Sequence, residues 1–247
     1  MRLIIDIGNT LAKVALFEDA DPLAITYLPV LTIDALELFL NDNGLARPEE
    51  AIISTVRQSD DAFIDYLKSN FRLLLPTTVT PIPIKNRYST PETLGFDRLA
   101  AAIAATSMFP HRNVLIINTG TAITYDLVTS NNEYLGGAIS PGLQMRLRAL
   151  HQFTQKLPLV TLKESVKLIG SNTHESILSG VLIATRAEID GMIEKFNNHY
   201  EELAVILSGG DVKYFDKSLK NSIFAVPNIV ISGLNQLLAF NFGKKNH

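Results

Sequence analysis

The chain has 247 residues, 47% hydrophobic and 19% charged, an ordinary globular balance with enough apolar material for two small domains or one large one. Its net charge of −3, with Lys and Arg scattered, offers no basic stripe for nucleic acid, and the lack of cysteine excludes a disulfide framework, a cysteine-held zinc and a thiol nucleophile. Asp6 falls where a signal peptide would need apolar residues, and no apolar run approaches the roughly 18 to 20 residues that span a bilayer, so a cytoplasmic protein with no membrane contact is expected.

Leu3-Ile4-Ile5 predicts a short buried strand, Gly8-Asn9-Thr10 a turn, and the alternation from Leu11 to Glu18 a second strand. A third strand is expected over 24–28, then a helix from about Ile33, a strand at Ala51-Ile52-Ile53 and a helix over 60–69. Pro76, Pro81 and Pro83 mark an irregular or edge passage. An alanine-rich helix over 94–108 is stopped by Pro110. Beyond it come a strand over 113–117, a turn over 118–121, and strands over 122–129 and 134–140, the last ending at Pro141-Gly142. One long helix over 174–200, with Thr173 as its cap and Asn172 before it, leads to a strand over 203–207. The turn Ser208-Gly209-Gly210 and a final helix over 230–242 follow, and Lys244-Lys245 reads as a frayed tail.

One pattern occurs twice. Ile4-Ile5-Asp6-Ile7-Gly8-Asn9-Thr10 is echoed by Ile116-Ile117-Asn118-Thr119-Gly120-Thr121-Ala122, and each copy runs straight into an alternating strand. Self-similarity of this kind argues for two copies of one unit, with a boundary near 110–112: residues 1–110 and residues 111–247. Facing each other, the two turns would clamp a triphosphate.

The residue types suit that task. Glycine between strands lets backbone N–H groups approach an anion, and Asn9, Thr10, Thr119 and Thr121 add short donors. Asp6, at the end of a buried strand, needs a partner, and Mg²⁺ on ATP is a suitable one, while Lys13 can meet a phosphate as a point charge. A hairpin turn capped by Asp6 would carry the same residues. Neither G-x-x-x-x-G-K-[ST] nor G-x-G-x-x-G is present, so nucleotide binding would rest on hairpin turns. Gly95-Phe96-Asp97-Arg98 opens the alanine-rich helix; an Asp held ionised by an Arg and a helix N-terminus can accept a hydroxyl proton, although Asp97 could equally be a plain cap. Gly136-Gly137 and Pro141-Gly142 suggest close backbone approach, and Ser208-Gly209-Gly210-Asp211 could line an adenosine pocket. The five histidines show no metal-ligand spacing and read as surface or helix-end residues.

In order and spacing, Asp6-Ile-Gly-Asn-Thr, Gly95-x-Asp-Arg, Gly120-Thr-Ala-x-Thr and Gly136-Gly-Ala-Ile-Ser-Pro-Gly142 resemble the motifs of type III pantothenate kinases, with Leu157-Pro158, Asn172-Thr173 and Gly180 continuing the match. The resemblance implies an α/β protein of the actin/hexokinase-like ATPase fold, built of two ribonuclease-H-like halves. It implies phosphorylation of pantothenate to 4′-phosphopantothenate, the first step of coenzyme A biosynthesis, by a cytoplasmic homodimer using Mg-ATP and a monovalent cation, K⁺ or NH₄⁺. It assigns Asp6, Ile7, Gly8, Asn9, Thr10, Leu11, Ala12, Lys13 and Thr121 to ATP, with Asp6 towards Mg²⁺. Tyr88, Gly95, Phe96, Asp97, Arg98 and Thr173 fall to pantothenate, with Asp97 as proton acceptor. Two positions depart from the family pattern. Asn118 stands where the cation-binding residue is usually Asp, which puts the cation requirement in question, and Phe96 stands where Ala is frequent. The other readings are a kinase for a different small hydroxylated metabolite and a non-catalytic nucleotide-binding accessory or regulatory protein.

Overall fold

The structure is a computed structural model that describes residues 1–55 and 61–243. Asp60, Lys244, Lys245 and His247, which figure in the expectations above, lie outside the described residues. In chain order the elements are β1 (Arg2–Ile7), β2 (Ala12–Glu18), β3 (Asp21–Leu28), α1 (Ile33–Asp42), β4 (Glu50–Thr55), α2 (Asp61–Asn70), β5 (Arg72–Leu74), the two-residue β6 (Lys85–Asn86) and α3 (Phe96–Met108). They continue with β7 (Val114–Thr119), β8 (Ala122–Val128), β9 (Glu133–Pro141), α4 (Leu143–Gln152), α5 (Thr173–Leu178), α6 (Ala184–Asn197), β10 (Ala204–Ser208), β11 (Phe224–Ala225) and α7 (Ile229–Phe242). No described helix is long and apolar enough to cross a membrane.

The chain divides into two compact units, one of residues Met1–Met108 with the stretch from Ile229 onward, the other of residues Phe109–Asn228. In the first unit the sheet order is β3-β2-β1-β4-β5, antiparallel from β3 to β1 and parallel from β1 to β5. In the second the order β9-β8-β7-β10-β11 repeats this, antiparallel from β9 to β7 and parallel from β7 to β11. The sequence echo thus marks two sheets of one topology.

In each unit the central strand is buried on both faces, and its alternation decides what each face meets. Leu3 and Ile5 of β1 join Val14, Leu36, Ile53 and Leu67 in a core beneath α1 and α2. Ile4 and Asp6 point to the other face, where α7 packs along β1 and β4 with α3 against it. Thr32 starts α1, its Oγ1 accepting the Ala35 N–H at 3.2 Å. In the second unit Leu115, Ile117, Ile123 and Tyr125 form the core with α4, α5 and α6, leaving Ile116 and Asn118 on the opposite face.

Three expectations need correction. First, a division into 1–110 and 111–247 assigns the last helix to the wrong unit. α7 is buried almost all round, through Ile229, Val230, Ile231, Leu234, Leu237 and Leu238. It docks on α3, where a Cβ on Gly233 would overlap the Ala100 carbonyl; the run of buried alanines from Ala100 to Ala102 allows that approach. Asn235 ties it to the β2–β3 hairpin by donating to Asp19 O at 2.7 Å. Second, the long helix expected over 174–200 runs without a break from Thr173 to Asn197, but it contains a π-helical turn, Ser179–Ile183, between α5 and α6 and ends three residues early. Third, α4 lies where no helix is expected, although Leu143, Leu147 and Leu150 have helical spacing.

Candidate active site

Asp6 ends the buried part of β1 and is 8% exposed. The sheet register places Lys13 of β2 directly opposite it on one side and buried Ser54 of β4 on the other, all three on the face away from the α1/α2 core. Four residues, Gly8 to Leu11, then cross to β2 in a turn closed by a bond from Gly8 N–H to Leu11 O at 3.1 Å, and Asn9, Thr10 and Leu11 are exposed at its tip. A carboxylate drawn out of water is harder to ionise, and burial pushes the Asp6 pKa up to about 6 against the pull of Lys13. The charge of Asp97 raises it further, which puts the carboxyl groups of the first turn and of α3 within one another's field. Such a group suits a cation, because the pull of Lys13 offsets only part of the penalty that burial puts on its charge. Asp6 therefore fits an ATP-borne Mg²⁺, and Asp6 is the residue that would approach it.

Asp97 is the second residue of α3, so it lies within the first turn and is not the residue before the helix. Its Oδ1 accepts the Arg98 N–H at 2.9 Å. A Cβ on Gly95 would run into that same Oδ1, so glycine at 95 is what permits this carboxylate orientation. Gly95 O receives the first helical bond, from Arg98 N–H at 3.2 Å. The guanidinium of Arg98, 9% exposed, sits over the Tyr88 ring at 5.6 Å. Tyr88 is itself placed by its N–H donating to Asn86 Oδ1 at 2.9 Å. Between the end of β4 and the start of α3 lies a cavity of about 550 Å³, lined by Ser54 and Thr55 on one wall and Leu94, Gly95 and Phe96 on another. Phe96 thus shapes the apolar part of a pocket that begins beside the Asp6 neighbour Ser54.

The second turn, in the other unit, is one residue shorter, because the register passes from Thr119 to Ile123 through three residues where the first turn uses four. Asn118 takes the place of Asp6, Thr124 that of Lys13 and Ser208 that of Ser54. The turn is held by its neighbours. Thr119 Oγ1 donates to Ser208 O at 2.8 Å, Asp211 N–H donates to Thr119 O at 3.1 Å, and Gly142 N–H donates to Thr121 O at 3.1 Å. The glycine-rich stretches at 136–142 and 208–211 therefore approach β8 and the turn itself, a Cβ on Gly137 overlapping the Tyr125 carbonyl.

Asp6, Lys13, Tyr88, Gly95, Phe96, Asp97 and Arg98 all belong to the first unit, and Asn118, Thr121 and Thr173 to the second. Thr173 is exposed and is the first residue of α5; the cap is Asn172, whose Oδ1 accepts the Glu175 N–H at 3.0 Å, which corrects the expected cap. His151 and His199 are helix-end residues whose Nδ1 atoms meet the carbonyls of Leu157 and Lys195 at 2.8 Å. Sequence reasoning passed over Ser54, a small polar residue in an apolar strand that only the register places beside Asp6. It also passed over Arg146 and Glu188, whose contacts are made across elements.

Residues 2–195 match the family model of type III pantothenate kinase. The chain is 44% identical over 242 residues to the type III pantothenate kinase of Christiangramia forsetii, covering 98% of this chain and 99% of that one. Among solved structures it resembles a protein assigned to the Baf family of transcriptional activators from Campylobacter jejuni, with a TM-score of 0.61 at 20% identity, covering 97% of this chain and 98% of that chain. A protein assigned as a 2-dehydro-3-deoxygalactonokinase from Sinorhizobium meliloti gives a TM-score of 0.58 at 10% identity, covering 99% and 100%. These structural likenesses concern the fold, that of the actin/hexokinase-like ATPases.

Proposed function

The chain belongs to the type III pantothenate kinase family and phosphorylates pantothenate with ATP in coenzyme A biosynthesis, and we propose that Asp97 is the proton acceptor of that reaction. The observation that carries this reading is the Asp97 carboxylate held in the first turn of α3, its Oδ1 accepting the Arg98 N–H at 2.9 Å, with the Arg98 guanidinium over the Tyr88 ring. The pantothenate hydroxyl oxygen attacks the γ-phosphorus in line, its proton passes to Asp97, and the bond from phosphorus to the departing ADP oxygen breaks. Arg98 and Tyr88 position the substrate, with Gly95 and Phe96 forming the floor of its site and Thr173 a further contact. Residues 6–13 and Thr121 contact ATP. Asp6 would be the carboxylate that approaches a Mg²⁺ carried with the nucleotide, and that ion would supply charge stabilisation to the phosphate oxygens. Asn118 would offer K⁺ or NH₄⁺ only an amide oxygen where the family pattern usually has Asp, so a higher cation concentration, or none at all, would be needed.

The assembly that fits this family reading is a cytoplasmic homodimer. ADP release by the purified protein with Mg-ATP, with and without pantothenate, tests the assignment. Pantothenate-dependent turnover yielding 4′-phosphopantothenate is expected; stimulation by other small alcohols and not by pantothenate would overturn it.

A further inference from the structure

In the second turn Gly120 carries no side chain and Thr121 is exposed. The backbone that follows β9 fixes it, since Gly142 donates to Thr121 O and a Cβ on Gly142 would overlap the carbonyls of Gly120 and Thr121. One side chain grips the two residues just before that contact. Arg146, on the first turn of α4, donates from Nε to Pro141 O at 2.8 Å and from Nη2 to Ser140 Oγ at 2.8 Å. Nη2 also donates to Glu188 Oε2 of α6 at 2.6 Å. Glu188 Oε1 in turn accepts from the hydroxyl of Tyr125, a core residue of β8 at 1% exposure, at 3.1 Å. β8 is the strand that leaves the turn, so the chain of bonds closes on itself. Burial, then the charge and hydrogen bond of Glu188, push the Tyr125 phenol up, which keeps it a donor over the working pH range.

We infer that Arg146 and Glu188 form a brace that sets the position of the second turn, making Arg146 a positioning residue for ATP. The inference rests on the reading of Thr121 as an ATP contact. A partly exposed ion pair contributes little to stability by itself. This one is different in what it spans: a planar fork with fixed donor directions joins the end of β9, α4 and α6, and lysine has one point charge with which to do so. Displacement of a phosphate-binding backbone by a fraction of an ångström is costly to transfer.

The test measures KM for ATP, KM for pantothenate and kcat in Arg146→Met, Arg146→Lys and Glu188→Gln, with Thr121→Val alongside and all assays well below the unfolding temperature. Arg146→Met is expected to raise KM for ATP about ten-fold and leave KM for pantothenate within about two-fold. Arg146→Lys should recover part of the loss, and Glu188→Gln, which keeps an acceptor for Arg146 and turns an N–H towards the Tyr125 hydroxyl oxygen, should change KM for ATP about two- to three-fold. A raised KM for ATP in Thr121→Val, with none in folded Arg146→Met or Arg146→Lys, overturns the brace and leaves the ATP role of the turn standing. No change in Thr121→Val overturns the reading of the turn, and the brace with it.

Discussion

The two units share a strand order and a register, and they differ in what stands at equivalent points of that register. Asp6, Lys13 and Ser54 in the first become Asn118, Thr124 and Ser208 in the second. The pattern of backbone donors is thus repeated while the charge is not. The first turn is longer, reaches into solvent and sits beside a second carboxylate on α3. The second is shorter and is bonded on three sides by residues 142, 208 and 211. One scaffold used twice can therefore divide the work, ionic chemistry at one copy and grip at the other.

The largest expected effect lies in the charged unit. Asp97→Asn should lower kcat by about 10² to 10⁴-fold, the usual worth of a placed general base. Pantothenate binding by calorimetry should survive, because the amide keeps an oxygen for the hydroxyl. Lost binding with residual high turnover would reduce Asp97 to a positioning role.

Asp6→Asn should come next, and as a gain in stability. Asp6 has a pKa of about 6 when folded and 3.8 as an ordinary carboxyl, so the folded state holds its proton more tightly and stability falls as pH rises from about 4 to 6. Above pH 6 the full penalty stands, about 3 kcal/mol for a shift of this size, and Asn carries none of it. Denaturant unfolding without nucleotide or Mg²⁺ should show the variant more stable at pH 7 and equal to the parent below about pH 4. Parallel curves across that range would mean that Asp6 is not buried as an acid.

Gly95→Ala is smaller. The new methyl meets Asp97 Oδ1, and a side chain can swing away, so a kcat loss of about 10- to 100-fold with little change in KM for ATP is expected. Smallest is Asn118→Asp, which adds a carboxylate beside the second turn. It should lower the half-saturating K⁺ concentration about two- to five-fold in KCl titrations balanced with choline chloride. An unaltered titration would place the cation elsewhere.

Much of this was legible in the sequence because the signals are local. The two turns, their flanking strands and the Gly95–Arg98 helix start are each written in fewer than a dozen neighbouring residues. What escaped depends on tertiary context. Nothing in the alternation around Ser54 says that it lies beside Asp6, since strand register between β1 and β4 is set by α1 and the core beneath it. The docking of α7 on the first unit is invisible for the same reason: its apolar all-round surface says that it is buried and not where. α4 was readable from its leucine spacing, masked by a polar remainder of Gln144, Arg146 and Arg148.

The division between a charged first turn and an uncharged second turn is tested most directly by the Mg²⁺ activation curve at fixed ATP, measured in the parent, Asp6→Asn and Asn118→Asp. Asp6→Asn should move the curve to higher Mg²⁺ by about ten-fold or more and leave the KM for pantothenate nearly unchanged, whereas Asn118→Asp should overlay the parent within about two-fold. A curve for Asp6→Asn that coincides with the parent, or equal shifts in the two variants, would contradict the account.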